Sequence, residues 1–388
     1  MSNTATESLT LWSILDRSIS VPKKRSTEKS VSLYPSEASV KIVHNGETVV
    51  LGACLRKQWL RNKLQRIQRD KNHKPENLEI VFRDHDAPTM YKFGLGVLAE
   101  ELIREETKRA TIFVDSSVPF EWYLPWEDPD TDPPIVRGEV DLVVDLCRPK
   151  PVGLEIKSFA GYNASKNILD RTAYGKTIKG EPKEGQLLQG TLYAYYFCHL
   201  LDEYDHFRMI YISREDGQRN EFVISFAPEQ VAVLQANGEI VEQTRQQLYV
   251  DGSPFKYQVY AEDIIDRYLQ LHTHVVNDII PDRDFELQYS KEKLKSLYEK
   301  GELSKAHTKE WETKGTIKKG DWQCKDIYCN YYSMCYDQKG KPIEYAVPDT
   351  ECESTRHIDH SAGEKPSNSE IDYVYKGPLE PILGESIF

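Results

Sequence analysis

Arg137-Gly-Glu-Val-Asp-Leu-Val-Val-Asp-Leu146 and Gly153-Leu-Glu-Ile-Lys-Ser158 are two runs in which apolar and polar residues alternate. A short proline-containing stretch, residues 147 to 152, separates them. Alternation with a period of two, interrupted by a turn, predicts two adjacent β-strands that each bury one face. The other face of this strand pair then carries Asp141, Glu155 and Lys157 close together.

This polar face has the composition of a metal-dependent active site. Asp141 and Glu155 repel each other at close range, and a divalent cation removes that penalty while binding their oxygen atoms. Lys157 beside such a cation can orient or deprotonate a water molecule, or stabilise negative charge on a phosphate. Two half-exposed strands with solvated charges would show the same pattern, so other parts of the chain must decide between the two.

Length and composition describe a globular chain in a reducing compartment. The 388 residues suffice for about two or three domains, and no apolar run approaches the ~20 residues of a membrane-spanning helix. Residues 1 to 16 lack the features of a secretory signal, so we expect a cytoplasmic protein with no membrane partner. The seven cysteines are then thiols or metal ligands rather than disulfides.

The charge distribution restricts how the chain could bind nucleic acid. A net charge of −12 argues against a protein that coats nucleic acid indiscriminately. Basic residues are nevertheless concentrated in residues 56 to 74 and 291 to 325. Each stretch is either a solvated helix face or a surface that contacts DNA phosphates.

Local patterns predict the remaining elements. Residues 40 to 51 alternate around Asn45-Gly46, which predicts a hairpin. Lysine- and glycine-rich residues 161 to 183 predict a loop beside the proposed site. Apolar spacing predicts five helices, and alternation predicts a further strand pair. The helices begin near residue 52 and cover 88 to 109, 184 to 201, 228 to 249 and 261 to 277; the strands cover 207 to 213 and 220 to 225.

Glu100 lies on the helix predicted for residues 88 to 109. At ~100° per residue it shares a face with four less polar positions: Phe93, Gly96, Val97 and Ile103. A carboxylate in such a stripe is costly unless it is paired or coordinated. Glu100 is therefore either a further ligand for the cation or a boundary residue that pairs with Arg104.

Gln189 and Tyr193 lie on the helix predicted after residue 183. Their spacing of four residues places both side chains on one face, and Gln186 extends that stripe. Aromatic residues at this spacing more often belong to a core. Their position after Asp141 and Lys157 along the chain is what makes the pair a candidate part of the site.

Four cysteines suggest a second metal site. Cys324-x4-Cys329-x5-Cys335 is a compact triplet, and Cys54 lies far earlier in the chain. Three thiolates leave a tetrahedral site one ligand short, which Cys54 can supply. Iron–sulfur clusters and zinc both accept four cysteines, so both remain open beside a simple group of buried thiols.

Taken in order, these features resemble the RecB-like branch of the PD-(D/E)xK nucleases. Asp141 and Glu155-Ile-Lys157 match the family signature, with Gly138-Glu-Val-Asp141 in place of the proline and aspartate, as is common in this branch. Gly96-Val-Leu-Ala-Glu100 matches its G-x-x-x-[H/E] motif, and Gln189-Gly-Thr-Leu-Tyr193 matches its Q-x-x-x-Y motif. The cysteines resemble those of the AddB, CRISPR-associated RecB-like and exonuclease V nucleases, although Cys324 and Cys329 are further apart than usual.

The resemblance implies an α/β fold. In that fold a central mixed sheet flanked by helices forms the nuclease core, and N- and C-terminal segments together form an iron–sulfur subdomain. The implied organisation has six parts. They are a flexible arm (1–34), a segment with the first cluster cysteine (35–87), the nuclease core (88–227), a helical region (228–320), the cysteine segment (321–337) and a tail (338–388).

The resemblance also implies a Mg²⁺- or Mn²⁺-dependent DNA exonuclease acting on single strands or ends. Lys157 would orient the attacking water, while Gln189 and Tyr193 would position Lys157 and contact the nucleic acid. Four groups would hold the ion: Glu100, Asp141, Glu155 and the backbone carbonyl of Ile156. Four thiolates would hold a [4Fe-4S] cluster, with zinc as the less favoured occupant: Cys54, Cys324, Cys329 and Cys335.

Two alternatives remain open. One is a non-catalytic nucleic-acid-binding protein in which zinc holds the cysteines and the acidic strand face is solvated. The other is a restriction-type endonuclease, which would release discrete fragments instead of shortening DNA progressively. The sequence identifies no protein partner and leaves the oligomeric state open.

Overall fold

A computed structural model describes residues 33–69, 87–123, 134–173, 175–234, 240–325, 328–329, 331–336 and 340–342. The predicted arm and tail, residues 1–34 and 338–388, therefore lie almost entirely outside the described residues. The chain divides into two compact units. The first comprises residues 1–52, 83–268 and 379–388, and the second comprises 53–82 and 269–378. The second unit thus contains Cys54 together with the C-terminal cysteine segment.

The first unit is an α/β structure built on a mixed sheet. Its described strands are β1 (Ser39–His44), β2 (Glu47–Gly52), β3 (Phe113–Trp122), β4 (Val136–Val144), β5 (Val152–Phe159), β6 (Arg171–Ala173), β7 (Lys176–Ile178), β8 (Phe207–Ser213), β9 (Arg219–Leu234), β10 (Ile240–Val250) and β11 (Ser253–Pro254). Seven of them form one sheet in the order β11-β10-β9-β8-β5-β4-β3. β5 and β8 pair in parallel, whereas all other neighbours are antiparallel. The predicted α/β class with a mixed central sheet is confirmed.

The described helices are α1 (Leu55–Arg69), α2 (Ala87–Arg109), α3 (Tyr162–Ile168), α4 (Glu184–Ala194), α5 (Ala261–Val276), α6 (Lys291–Glu299) and α7 (Lys305–Lys314). Helix α4 continues into a π-helical turn, Tyr195–Leu200. The predictions of α1, α2, α4 and α5 are confirmed. None of the helices in the described parts of the chain combines the length and apolar character needed to span a bilayer.

Two segment predictions are wrong. Residues 228 to 249 were predicted as a helix and as the start of a helical region, but residues 228 to 234 belong to β9 and residues 240 to 249 to β10. Apolar residues in this segment fit either period, and the antiparallel pairing of β9 with β10 favours the strand. Residues 161 to 183, predicted as a loop, contain α3 and the β6–β7 hairpin.

The two strand pairs predicted from alternation form as expected. β1 and β2 meet at Asn45 and Gly46, whose φ angles of 52° and 78° are those of a tight hairpin turn. β4 and β5 pair from Val144 opposite Val152 to Leu142 opposite Leu154. One detail is wrong: β5 was expected to bury a single face, but both faces of residues 152 to 156 are buried because β5 lies in the middle of the sheet.

Helix α2 packs against β5 through its small and apolar residues. A Cβ atom on Gly96 would lie 3.6 Å from Ser158 Oγ, and Ala99, Ile103 and Thr107 are buried. Ile103 joins the core formed by Leu142, Val144, Leu154 and Ile156. Glu100 shares this face, as predicted, with Gly96 and Ile103. Phe93 and Val97 do not share it, since they are 51% and 63% exposed.

The second unit is organised by α1. Trp59, Leu60 and Leu64 form its buried side, as predicted, and Trp59 Nε1 donates a hydrogen bond to the carbonyl of His274 at 3.1 Å. The backbone N–H of Leu55 donates to Asp284 Oδ2 at 2.6 Å, so a carboxylate distant in sequence satisfies the first turn of the helix. A separate small core contains Leu294, Leu303 and Ile317.

Two glycines give opposite predictions for stability. A Cβ atom at Gly153 would lie 2.6 Å from the buried ring of Phe207, so Gly153→Ala should lower the free energy of unfolding by about 1–3 kcal/mol. A Cβ atom at Gly94, inside α2, would meet nothing within 4 Å, so Gly94→Ala should raise it by about 0.5–1 kcal/mol. Urea unfolding of the two variants measures both changes. Equal stability of the variants would contradict the packing described for β5.

Candidate active site

The predicted polar residues lie where β4 and β5 separate. Backbone pairing between the strands ends at Leu142 and Leu154. At the next position, Asp141 Oδ2 accepts a hydrogen bond from the backbone N–H of Ile156 at 2.6 Å. A side chain thus replaces a backbone partner at this point. The opening that results brings the Asp141 carboxylate beside Glu155.

Glu155 is the most buried acid of the group. Its side chain is 1% exposed, and Oε1 accepts a hydrogen bond from Lys157 Nζ. Oε2 is buried and has no hydrogen-bond partner. Burial, reinforced by Asp141 and Glu100, raises the pKa of Glu155 to about 8, although Lys157 acts in the opposite direction. Glu155 is therefore a carboxyl group whose negative charge is only partly compensated.

Asp141 and Glu100 share the same electrostatic environment. Burial raises the pKa of both carboxyls, and the charge of Asp141 raises the pKa of Glu100 further. Lys157 lowers both. Arg104, the alternative partner predicted for Glu100, instead donates a hydrogen bond to Glu101 at 2.6 Å. Glu100 is thus within electrostatic range of the three strand residues.

Lys157 is the positive charge of this group. Burial alone would lower its pKa, but Glu155 and Asp141 outweigh that effect and raise it. The amine therefore keeps its proton at neutral pH. In this state it can orient a water molecule or offset the charge of a phosphate, but it is a poor base.

Gln189 and Tyr193 of α4 pack against the part of the sheet that carries the candidate site. Gln189 Nε2 lies 3.5 Å from Tyr193 Oη, and both side chains are buried. Tyr193 packs edge-on against Phe120, and a Cβ atom at Gly138 would lie 2.7 Å from its hydroxyl. Because the Tyr193 side chain is buried, it is not accessible for the expected contact with nucleic acid. The hydroxyl instead contacts β4, three residues before Asp141.

The acidic residues have the chemistry of a divalent-cation site but not its closed arrangement. Among the described residues, no group of three or more His, Cys, Asp or Glu side chains is placed to hold a metal ion. The donors nevertheless fit a hard cation, because Glu155 Oε2 is buried without a partner and the three carboxyls disfavour each other's ionisation. A divalent cation would remove that cost.

The four predicted cysteines are half-buried residues of the second unit. Burial raises the pKa of Cys324 to about 12, and Cys54, Cys329 and Cys335 all contribute to the increase. Cys324 is thus within electrostatic range of the other three. Tyr336 Oη donates a hydrogen bond to Cys324 Sγ at 3.8 Å. Burial, with Asp284 as the next cause, raises the pKa of Cys54 to about 11.

Two guanidinium groups accompany the thiols. Arg56 is 9% exposed, and its Nε donates to the carbonyl of Pro281 at 2.9 Å, while Nη1 is buried without a hydrogen-bond partner. Arg283 Nη2 donates to the carbonyl of Cys335 at 2.9 Å. A buried cation stabilises a negative charge beside it, so the guanidinium groups stabilise the thiolate form of these cysteines relative to the neutral thiol.

The basic stretch that includes Arg56 is partly structural. Arg56 is buried, and Lys63 forms an ion pair with Asp278 at 2.7 Å. The side chains after Leu64 in this stretch lie outside the described residues. Arg56 and Lys63 therefore have other partners and do not support the predicted contact between residues 56 to 74 and DNA.

Two further basic residues lie at the edge of the sheet where the acidic site opens. Lys183 precedes α4, and its backbone N–H donates to Tyr211 Oη at 3.1 Å. Arg214 follows β8, and its backbone N–H donates to the carbonyl of Phe159 at 2.9 Å. Lys183 ends the lysine-rich stretch that was predicted to lie beside the site. No sequence pattern identified Arg214, because its position depends on the parallel pairing of β5 with β8.

No protein-family model matches the chain, and no curated protein matches it. A solved structure described as the crystal structure of SSO0001 has 12% sequence identity to the chain, and the alignment covers 84% of this chain and 96% of that chain. The TM-score is 0.34, a similarity too low to assign a fold or a function.

The raised pKa of Glu155 predicts a pH dependence of stability for the metal-free protein. The carboxyl titrates near 4.5 when unfolded and near 8 when folded, so the cost of ionising it is absent below about pH 4.5 and complete above about pH 8. The free energy of unfolding should therefore fall as the pH rises through this window. Glu155→Gln should reduce that fall by on the order of 3 kcal/mol.

Urea unfolding with a chelator present, from about pH 5 to pH 9, measures this change. Glu242→Gln, an exposed position on β10, serves as the control and should keep the pH dependence of the original chain. Identical pH profiles for Glu155→Gln and the original chain would mean that Glu155 is already ionised in the folded state.

Proposed function

We propose that the chain is a metal-dependent deoxyribonuclease with a PD-(D/E)xK core, acting as an exonuclease on single-stranded DNA or DNA ends. One observation carries this proposal. Asp141, Glu155 and Lys157 lie together where two central strands separate, and Glu100 of a neighbouring helix is within electrostatic range of them. The order of these residues along the chain and their spatial grouping both support the same chemistry.

Burial of Glu155 favours a catalytic role over a solvated acidic face. A carboxyl in the interior of a sheet lowers stability unless a partner compensates it, and here one oxygen has no partner. Strongly shifted acids that lie beside a second acid and a lysine are typical of active sites. The non-catalytic alternative requires this acidic face to be solvated, which the 1% exposure of Glu155 contradicts.

In the proposed mechanism Lys157 orients the attacking water and its charge offsets the charge of the phosphate. Gln189 and Tyr193 support β4 near Gly138 and thereby hold Asp141 in position. Mg²⁺ or Mn²⁺ would be held by four groups: Glu100, Asp141, Glu155 and the carbonyl of Ile156. When bound, such an ion stabilises the developing negative charge and lowers the pKa of a bound water.

We further propose that the cysteine group of the second unit holds a [4Fe-4S] cluster, with zinc as the alternative. The electrostatic proximity of Cys54, Cys329 and Cys335 to Cys324 supports a shared metal centre. The buried Nη1 of Arg56, which has no hydrogen-bond partner, supports a metal centre that carries a negative charge. Both occupants meet these conditions, so metal analysis must separate them.

Substitutions at the strand residues test the nuclease proposal. Lys157→Ala and Asp141→Asn should each reduce the cleavage rate of labelled DNA in Mg²⁺ by about a thousandfold or more, because each removes a charge that acts on the phosphate or the ion. Lys150→Ala, which removes an exposed lysine in the turn between the same two strands, should cleave at the original rate. Normal digestion by either site variant would refute the assignment.

Metal analysis tests the cysteine group. Protein purified without oxygen should contain iron and sulfide and absorb visible light, and Cys324→Ser should lose both. Cys198→Ser serves as the control, because Cys198 lies in the first unit and should leave the cluster unchanged. A colourless protein with one zinc ion per chain would refute the iron–sulfur cluster and support zinc.

A further inference from the structure

Two basic residues extend the site along the edge of the sheet. β5 and β8 run in parallel, with Lys157 opposite Tyr211 and Phe159 opposite Ser213. The chain therefore leaves both strands at the same edge. Arg214 is the first residue after β8, and its backbone N–H bonds to the carbonyl of Phe159. Because Tyr211 lies opposite Lys157, Arg214 is three positions beyond Lys157 on the neighbouring chain segment.

The Arg214 side chain lies between the sheet and helix α2. Its Nη1 donates to the carbonyl of Lys92 at 3.1 Å, and its Nε is buried without a hydrogen-bond partner. Helix α2 is the helix that carries Glu100. Arg214 therefore connects the helix that supplies one carboxylate with the strand edge beside the other two.

Lys183 adds a second positive charge to this edge. Burial lowers its pKa, and the charge of Arg214 lowers it further, which places the two cations within electrostatic range. The acids that flank Lys183 in sequence are used elsewhere, since Glu181 and Glu184 pair with Lys256 at 2.9 and 3.1 Å. Within the described residues, neither Lys183 nor Arg214 forms an ion pair.

Two neighbouring cations that form no ion pair with a carboxylate favour the binding of an anion between them. A backbone phosphate of a nucleic acid bound at the acidic site would be such an anion. An exposed aromatic ring follows the backbone segment that contacts Glu215, the residue after Arg214. Tyr162 begins α3 and is 78% exposed. The preceding N–H, that of Gly161, donates to Glu215 Oε1 at 3.0 Å, which ties the start of α3 to the residue after Arg214.

We propose that Lys183, Arg214 and Tyr162 form a nucleotide subsite next to the scissile phosphate. The two cations bind the adjacent backbone phosphate, and the ring of Tyr162 stacks on the base. Stacking requires an unpaired base, so the subsite selects single-stranded nucleic acid. This inference rests on the proposed nuclease function and narrows its substrate to a single strand.

Binding of a labelled single strand of about ten nucleotides tests the subsite, with Ca²⁺ in place of Mg²⁺ to keep the strand intact. Arg214→Gln and Lys183→Gln should each weaken binding roughly tenfold and reduce the slope of log Kd against log salt by about 0.7. Tyr162→Ala should weaken binding by a similar factor without changing the slope. Arg214→Lys and Tyr162→Phe should retain most of the affinity.

A matched control comes from the same strand as Arg214. Arg208→Gln removes a cation from the opposite end of β8. It should keep the original affinity and the original salt slope. Thermal melting of every variant identifies changes caused by misfolding.

The outcomes separate the subsite from the nuclease proposal. If the original chain cleaves DNA but the Arg214 and Lys183 variants bind with unchanged affinity and slope, the subsite is wrong and the nuclease stands. If the Arg214 and Lys183 variants lose as much affinity for duplex DNA as for the single strand, and Tyr162→Ala does not change the affinity for the single strand, single-strand selection is refuted. If the original chain neither binds nor cleaves DNA, the nuclease proposal fails and the subsite fails with it.

Discussion

The contact between Glu155 and Lys157 is the constraint on which the first unit depends. Both residues lie on the central strand β5, where a charged carboxylate costs several kcal/mol unless neighbouring groups compensate it. Lys157 compensates one negative charge, whereas Asp141 and Glu100 add two more when ionised. Three carboxylates against one ammonium leave an excess of two negative charges. The site is therefore stable only when protons or a cation balance that excess.

The second unit places a buried guanidinium beside thiols. Arg56 has an unpaired Nη1, Asp282 is a nearby negative charge, and the Cys54 and Cys335 thiols are also within electrostatic range. Deprotonation of Cys54 would add negative charge beside Arg56, but burial opposes it, as the raised pKa of Cys54 indicates. A metal that binds thiolates resolves both conflicts, because it stabilises the sulfur anions and leaves them able to attract Arg56.

Sequence patterns predicted the elements whose cause is local. Alternation located β4 and β5, Asn45-Gly46 located the hairpin turn, and helical spacing located α2. These patterns also predicted Asp141, Glu155, Lys157 and Glu100 as one site; the structure places the first three on the paired strands β4 and β5 and the fourth on a helix that packs against β5.

The features that escaped prediction depend on contacts between distant parts of the chain. Residues 228 to 249 have a pattern compatible with a helix, and the pairing of β9 with β10 makes residues 228 to 234 and 240 to 249 strands. Helical spacing placed Phe93 and Val97 with Glu100, but the helix presents the small residues Gly96 and Ala99 to the sheet instead. Arg214 has no sequence signal, since its role follows from the parallel pairing of β5 and β8.

The buried Tyr193 explains how a helix residue can matter to the site without touching a substrate. Its hydroxyl occupies the space that a side chain at position 138 would need, so Gly138 and Tyr193 depend on each other. Gly138 precedes Asp141 by three residues on β4, and β4 separates from β5 just there. A shift of that strand by a fraction of an ångström would alter the hydrogen bond between Asp141 and the N–H of Ile156, and with it the distance between Asp141 and Glu155. In the proposed nuclease Tyr193 would therefore act through the position of β4, which is consistent with its burial.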